Sequence, residues 1–163
     1  MVFERLYPAD KAGIAEMSAV ASAIVREHYD PILGAEQNDY MLDKFQSPGA
    51  IKEQLDHGYD YYFVGGKDHR LGFAAFYPRG DAMYLSKLYL YKDERGKGYS
   101  RLILDFIKDR AREEGLSAIE LNVNRFNPSI AVYERLGMRR IRAEKNDIGG
   151  GYYMDDYVYR LDF

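Results

Sequence analysis

The stretch Leu88-Tyr89-Leu90-Tyr91-Lys92-Asp93-Glu94-Arg95-Gly96-Lys97-Gly98-Tyr99-Ser100-Arg101-Leu102 decides how the rest of the chain is read. It begins as an aromatic and aliphatic strand and breaks into a charged turn with two glycines. It then opens a helix, about Gly98 to Glu114, whose apolar stripe is Leu102, Ile103, Phe106, Ile107 and Ala111. Gly96 and Gly98 lack a Cβ, so the backbone there can take unusual dihedrals and approach a ligand closely. A helix leaves its first N–H groups without intrahelical partners, and its dipole makes that end electropositive. Arg95, Lys97 and Arg101 add positive charge beside it. Together these features predict a site for pyrophosphate oxygens. The stretch is not a Walker loop, because no Gly-Lys-[Ser/Thr] closes a four-residue gap. Nor is it the dinucleotide fingerprint, whose third glycine and early position are missing. A plain strand-to-helix turn with solvated charges is the competing reading of the same residues.

Outward from this turn the pattern is mixed. Upstream, Tyr61 to Val64, Leu71 to Tyr77 and Ala82 to Tyr91 read as three strands. They are separated by Gly65-Gly66-Lys67-Asp68 and Pro78-Arg79-Gly80-Asp81, which predicts an antiparallel meander. Before them, Val2 to Leu6 alternates as a first strand and Asp10 is placed to cap a helix running to about His28. A second helix is predicted from Asn38 or Asp39 through Phe45, and a further turn or two from Ser47-Pro48 to Gly58. Downstream, Gly115 stands where a helix C′ glycine belongs, and Ala118 to Val123 is a short strand. Pro128 to Leu136 is a short helix, followed by strands over about Met138 to Glu144 and Tyr152 to Leu161. Gly149-Gly150-Gly151 between the last two is expected to be a mobile linker. The expected fold is α/β (α+β): a mixed, mostly antiparallel twisted sheet of about seven strands with about four flanking helices.

The 163 residues suit a single domain, read here as 1–163. Hydrophobic residues at 47% and charged residues at 30% are a globular composition. A net charge of −3 argues against non-specific nucleic-acid binding, which needs Lys and Arg massed on one face. With no cysteine, a disulfide scaffold, a thiolate nucleophile and a Cys-ligated metal are excluded. The N-terminus carries Glu4 and Arg5 with no apolar run behind them, and no window approaches a membrane span. A cytoplasmic, reduced setting with no membrane contact is the simplest expectation.

About thirty residues beyond the turn comes Leu121-Asn122-Val123-Asn124-Arg125-Phe126-Asn127-Pro128-Ser129-Ile130-Ala131-Val132-Tyr133-Glu134-Arg135-Leu136-Gly137-Met138. By itself Asn127 reads as a cap for the helix that Pro128 begins, and Tyr133, one of 16 tyrosines, as packing. Taken with the first stretch it says more. Arg95-x-x-Gly98-x-Ser100 resembles the pyrophosphate signature of the GNAT acetyltransferase superfamily, with Ser100 a mild departure from Gly or Ala. The second stretch is similar to that superfamily's strand-Asn-helix-Tyr-Gly motif, at Asn127, Ala131, Tyr133, Gly137 and Met138. The resemblance covers most of residues 82–163, and residues 1–60 match in layout alone.

The resemblance implies a GNAT-like fold and acetyl-CoA as cosubstrate, with no metal. It implies cofactor binding by Leu88, Tyr89, Leu90, Arg95, Gly96, Lys97, Gly98, Tyr99, Ser100, Asn127 and Tyr133. Backbone N–H groups of Leu88 and Leu90 would bind the pantetheine arm and polarise the acetyl carbonyl. Asn127 would hydrogen-bond the same arm. Tyr133, a protonated phenol at neutral pH, would give its proton to the departing thiolate. Transfer would be direct, from acetyl-CoA to a primary amine of a polyamine-like small molecule or a peptide, without an acyl-enzyme.

The base is open. Many relatives carry a Glu on the strand before the phosphate turn, where this chain has Tyr84 and Ser86. Glu120 is one candidate base, and His28 or Asp30 another. His28, Tyr29, Asp30, Tyr84 and Ser86 are the candidate acceptor-side residues. His57 reads as a helix C-terminal group and His69 as a solvated turn residue. Asp155 and Asp156 read as a solvated edge, with attraction of a cationic amine as the alternative. Folds of this kind commonly dimerise through their last strands, so the resemblance leaves a homodimer open. The missing Glu also keeps a rival in view: a catalytically silent CoA-binding sensor or interaction module.

Overall fold

The computed structural model describes residues 1–163. In chain order the elements are β1 (Phe3–Leu6), α1 (Lys11–Leu33), α2 (Ala35–Gln46), α3 (Pro48–Asp56), β2 (Asp60–Val64), β3 (Gly72–Arg79) and β4 (Ala82–Leu90). A 3-10 turn (Lys92–Glu94) leads to α4 (Tyr99–Glu113), β5 (Ala118–Asn124), α5 (Ile130–Arg135), β6 (Arg139–Gly149) and β7 (Tyr152–Asp162). The sheet has seven strands in the order β1-β2-β3-β4-β5-β7-β6. β4 and β5 are parallel, and β1–β2, β2–β3, β5–β7 and β6–β7 are antiparallel. This is the mixed, mostly antiparallel sheet the sequence predicts. Five α-helices accompany it because Ser47-Pro48 separates α2 from α3. The Ser47 hydroxyl accepts from the Ala50 N–H, and Pro48 occupies the first helical position, where no N–H is needed.

The chain forms two compact units, Met1–Tyr77 with Lys87–Tyr99, and Pro78–Ser86 with Ser100–Phe163. In the first, Ile14, Met17, Ala21 and Ile24 put the apolar stripe of α1 into a core shared with Tyr61, Phe63, Phe73 and Ala75. Tyr61 pairs with Ala75 and Phe63 with Phe73, so these side chains stand on one face of the β2–β3 ladder. Burying each large apolar side chain contributes about 1.5–3 kcal/mol. The Asp10 carboxylate caps α1 by accepting from the Gly13 N–H at 2.9 Å. The helix does not stop near His28 but runs through Pro31 to Leu33. Ile32 and Leu33 pack on the core, and burial outweighs the one hydrogen bond that Pro31 cannot make. Gly34, at φ +86°, ends it and donates its N–H to the Asp30 carbonyl. Gly72 has a different reason to be glycine. A Cβ there would lie 2.0 Å from the Tyr89 carbonyl oxygen, so only a bare Cα lets β3 approach the end of β4.

In the second unit α4 buries Ile103, Leu104, Ile107 and Ala111, and Gly115 at φ +75° turns the chain out of it. β5 buries Ile119, Leu121 and Val123, alternating with half-buried Glu120 and Asn122. β7 pairs with β5 from Ala118↔Asp162 to Asn124↔Asp156 and with β6 on its other side. β7 is therefore an interior strand, and the edge is β6. Gly150-Gly151 form a tight turn of the β6–β7 hairpin, closed by the Gly149↔Tyr152 pair, where a linker was expected, and the three glycines have φ of +88°, +62° and +80°. Three left-handed residues in succession are a conformation that glycine adopts without steric cost.

Candidate functional site

The phosphate-type turn folds as its glycines suggest. Gly96 and Gly98 take φ of +75° and +82°, and α4 starts at the next residue, Tyr99. No atom lies within 4 Å of a Cβ built at either glycine, so conformation rather than crowding requires them. Arg95 donates from Nε to the Leu90 carbonyl at 3.2 Å, which ties the turn back to the end of β4. The buried Glu94 carboxylate accepts from Lys97 Nζ at 3.3 Å and meets His69 Nε2 at 3.1 Å. His69 is exposed, as its turn position predicts, and gains this partner from a residue distant in sequence.

Also in the first unit, Tyr89 donates its hydroxyl proton to the Tyr29 hydroxyl oxygen at 3.2 Å, and the His28 ring packs edge-on to Tyr29 at 4.8 Å. Three expected site residues therefore meet. Asp30 does not join them. Its carboxylate accepts from Asn38 Nδ2 at 2.7 Å and helps fasten α2 to α1. His57 contacts the Glu53 carbonyl through Nδ1 at 2.7 Å, at the end of α3, the helix-terminal place expected of it.

Lys87, which sequence reasoning passed over, is buried on β4 with 8% exposure. Its Nζ donates to the Tyr61 hydroxyl at 2.5 Å, to Gln54 Oε1 at 2.7 Å and to the Phe45 carbonyl at 3.3 Å. None of these carries a charge, and the rings of Tyr59 and Tyr61 lie 5.8 and 5.0 Å from Nζ. Burial pulls its pKa down from 10.5 to about 7. The same burial, with Tyr59 close by, pushes the Tyr61 phenol well above its ordinary range.

The second unit gathers the other groups. Asn124 closes β5 and its carbonyl accepts from the Asn127 N–H at 2.9 Å. Asn127 is buried and its Oδ1 accepts from the Ser129 N–H at 2.8 Å, an Asx-type turn. α5 begins only at Ile130 with Ser129 at its N-cap, so Asn127 shapes the approach to the helix and does not cap a helix starting at Pro128. Tyr133 is half-buried on α5, and the Met138 N–H returns to its carbonyl across Gly137 at φ +94°.

On one face of β4, β5, β7 and β6 stands a polar cluster. The Tyr84 hydroxyl donates to Asn122 Oδ1 at 2.8 Å, while Arg79 covers the Tyr84 ring at 3.6 Å. Asn122 Nδ2 donates to Glu144 Oε2 at 3.3 Å and to Asp156 Oδ2 at 3.4 Å. Arg142 reaches Glu144 at 2.8 Å and holds that carboxyl below its usual range. Asp156 is 2% exposed, so the solvated-edge reading of it is corrected: β7 lies between two strands and its inward carboxyl is covered. Burial pushes its pKa up to about 6, with Glu144 and Asp155 adding to the rise and the Asn122 hydrogen bond opposing it. Asp155 points the other way in the pleat and pairs with Arg125 at 2.8 Å. Glu120 stays outside the cluster, held by Arg160 at 2.5 Å in a network with Asp81 and Asp162. Arg160 contacts Glu120 through Oε2 and divides its guanidinium between Glu120 and the two aspartates. Ser86 is half-buried on β4. Alternation along Leu85, Lys87 and Tyr89 was the one sequence signal that could have exposed Lys87. For Asp156 none existed, since its burial depends on strand order.

Residues 22–138 match the model of the acetyltransferase (GNAT) family, and the chain belongs to that family. No curated protein matches it. Solved structures share its fold. The PaiA N-acetyltransferase from Thermoplasma acidophilum, solved in complex with coenzyme A, is 16% identical over 100% of both chains, with a TM-score of 0.74. A GCN5-related N-acetyltransferase from Rhodopseudomonas palustris is 14% identical over 99% of this chain and 95% of that one, at 0.79. The ribosomal-protein-alanine N-acetyltransferase from Brucella melitensis is 16% identical over 100% of both, at 0.63. Acetyl transfer is the family's chemistry. No helix here is long and apolar enough to cross a membrane.

Proposed function

We propose that this protein transfers the acetyl group of acetyl-CoA directly to a primary amine of a polyamine-like small molecule or a peptide, within a ternary complex. The observation that carries the reading is the turn before α4. Gly96 and Gly98 hold left-handed conformations beside Arg95, at the start of a fifteen-residue helix, in a chain of this family. Such a turn directs N–H groups and a helix dipole toward pyrophosphate oxygens.

Bound acetyl-CoA supplies an activated carbonyl with a good leaving group. The chain's own residues do the rest. Arg95, Lys97 and the amides from Gly96 to Ser100 hold the diphosphate. Leu88 and Leu90 offer backbone N–H groups to the pantetheine arm and to the carbonyl oxygen as negative charge builds on it. Asn127 orients the arm. Tyr133 protonates the departing thiolate. Holding both reactants in line contributes much of the acceleration. Acidic surroundings at Asp156 and Glu144 support a cationic acceptor.

Thermal shift with coenzyme A, NAD and ATP tests the ligand, followed by release of free thiol across a panel of amines. Stabilisation by coenzyme A with turnover on at least one amine is expected. Stabilisation by NAD or ATP instead would refute the reading, and binding of coenzyme A with no turnover would favour a silent sensor.

A further inference from the structure

Among the half-buried or buried carboxylates of the second unit, Asp156 stands apart. Glu120 and Arg160, Glu144 and Arg142, and Asp155 and Arg125 are ion pairs, whereas Asp156 has no cationic partner in contact. Its Oδ2 takes one long hydrogen bond from Asn122 Nδ2 at 3.4 Å. The Asn122 amide cannot do more. Its Oδ1 is committed to the Tyr84 hydroxyl, and its two Nδ2 hydrogens are divided between Glu144 and Asp156. A carboxylate 2% exposed and short of donors is poised to accept a proton or a cationic hydrogen-bond donor.

Its place in the fold ties it to the proposed chemistry. Asp156 pairs across the ladder with Asn124. The Asn124 carbonyl holds the Asn127 N–H, and the Arg125 N–H donates to the Asp155 carbonyl at 3.1 Å. The turn that presents Asn127 and opens toward α5 is thus built on the same end of the β5–β7 ladder as Asp156.

We infer that Asp156 is the general base that takes the proton from the acceptor ammonium, with Asn122 and Tyr84 positioning it; this rests on the acetyl-transfer reading above. The ammonium proton moves to the Asp156 carboxylate. The freed lone pair forms the N–C bond to the acetyl carbon while the C–S bond breaks. The thiolate takes the Tyr133 proton, and the phenolate recovers one from the new amide nitrogen. Asp156 then releases its proton to solvent, so each turnover frees one proton. A carboxyl titrating near neutrality returns to its ionised form between turnovers.

Glu144 from β6, Asn122 and Asn124 on β5, and Tyr84 from β4 through Asn122 share the face of Asp156, while Asp155 and Arg125 act on it from the far side of the pleat and from the turn. Arg142 holds the Glu144 carboxyl below its usual range, and Arg125 pairs with Asp155 at 2.8 Å.

The test uses the full chain with acetyl-CoA, spermidine and a lysine-containing peptide as acceptors, across pH 5.5 to 9. Wild type should show an acid limb in kcat/KM near the pKa of about 6. Asp156→Asn should lose that limb and fall about 100-fold at pH 7, with unchanged stabilisation by coenzyme A. Asp156→Glu should keep the limb at reduced rate. With hydroxylamine, uncharged at pH 7, the Asn variant should approach wild type, because no proton need be removed before attack. A deficit equally large with hydroxylamine, or an unchanged limb in Asp156→Asn, overturns the assignment while leaving acetyl transfer intact. A wild type that binds coenzyme A and acetylates no amine overturns both.

Discussion

Replacing Lys87 by methionine should remove a pH dependence of stability that the wild type carries. The ammonium is enclosed by the Tyr61 hydroxyl, Gln54 Oε1 and the Phe45 carbonyl, which favour it only weakly over the neutral amine. Its pKa falls from 10.5 in the unfolded chain to about 7 in the folded one. Between these values the unfolded state holds the proton and the folded state does not, so stability rises with pH across that window. Each pH step of one in that window is worth about 1.4 kcal/mol, less near the folded pKa, so from pH 7 to pH 9 the gain is about 2 kcal/mol. Methionine has nearly the same length and no charge. Urea unfolding of wild type and Lys87→Met at pH 7, 8 and 9 measures the difference directly. The variant should gain relative to wild type toward pH 7, and the gap should change by about 2 kcal/mol across the series. Parallel stability curves over that range would show that Lys87 keeps an ordinary pKa, and would refute the argument from burial.

Two further outcomes are expected. Tyr133→Phe should lower kcat by about 100-fold while leaving the thermal shift by coenzyme A unchanged, and an unaltered kcat would remove the phenol from the mechanism. Gly72→Ala drives a Cβ to 2.0 Å from the Tyr89 carbonyl oxygen, so β3 and β4 must part. A loss of about 1–3 kcal/mol in chemical unfolding is expected, and a variant as stable as wild type would mean that the strands shift freely there.

Local signals were enough where the chain decides its own conformation. Asp10 and Ser47 cap helices because their side chains reach an N–H three residues on, which neighbouring sequence alone arranges. Gly96, Gly98 and Gly115 sit at left-handed positions beside helix ends. Asn127 turns the chain toward α5 by a short-range bond to the Ser129 N–H, one step before the helix it was expected to cap. Boundaries were less legible. The sequence puts the end of α1 near His28, and a core contact available only after folding carries it through Pro31 to Leu33.

The alternation of strands and helices, the turn at Arg95–Ser100 and the family to which both belong were legible from local sequence, because these rest on neighbours within a few residues. Strand order and burial are long-range. Asp155 and Asp156 are chemically identical neighbours, yet the pleat gives one to Arg125 and covers the other, and no local pattern separates them. Lys87 is likewise an ordinary lysine until β2, α2 and α3 close around it. A charged group's chemistry depends on what excludes water from it, and only the tertiary fold decides that.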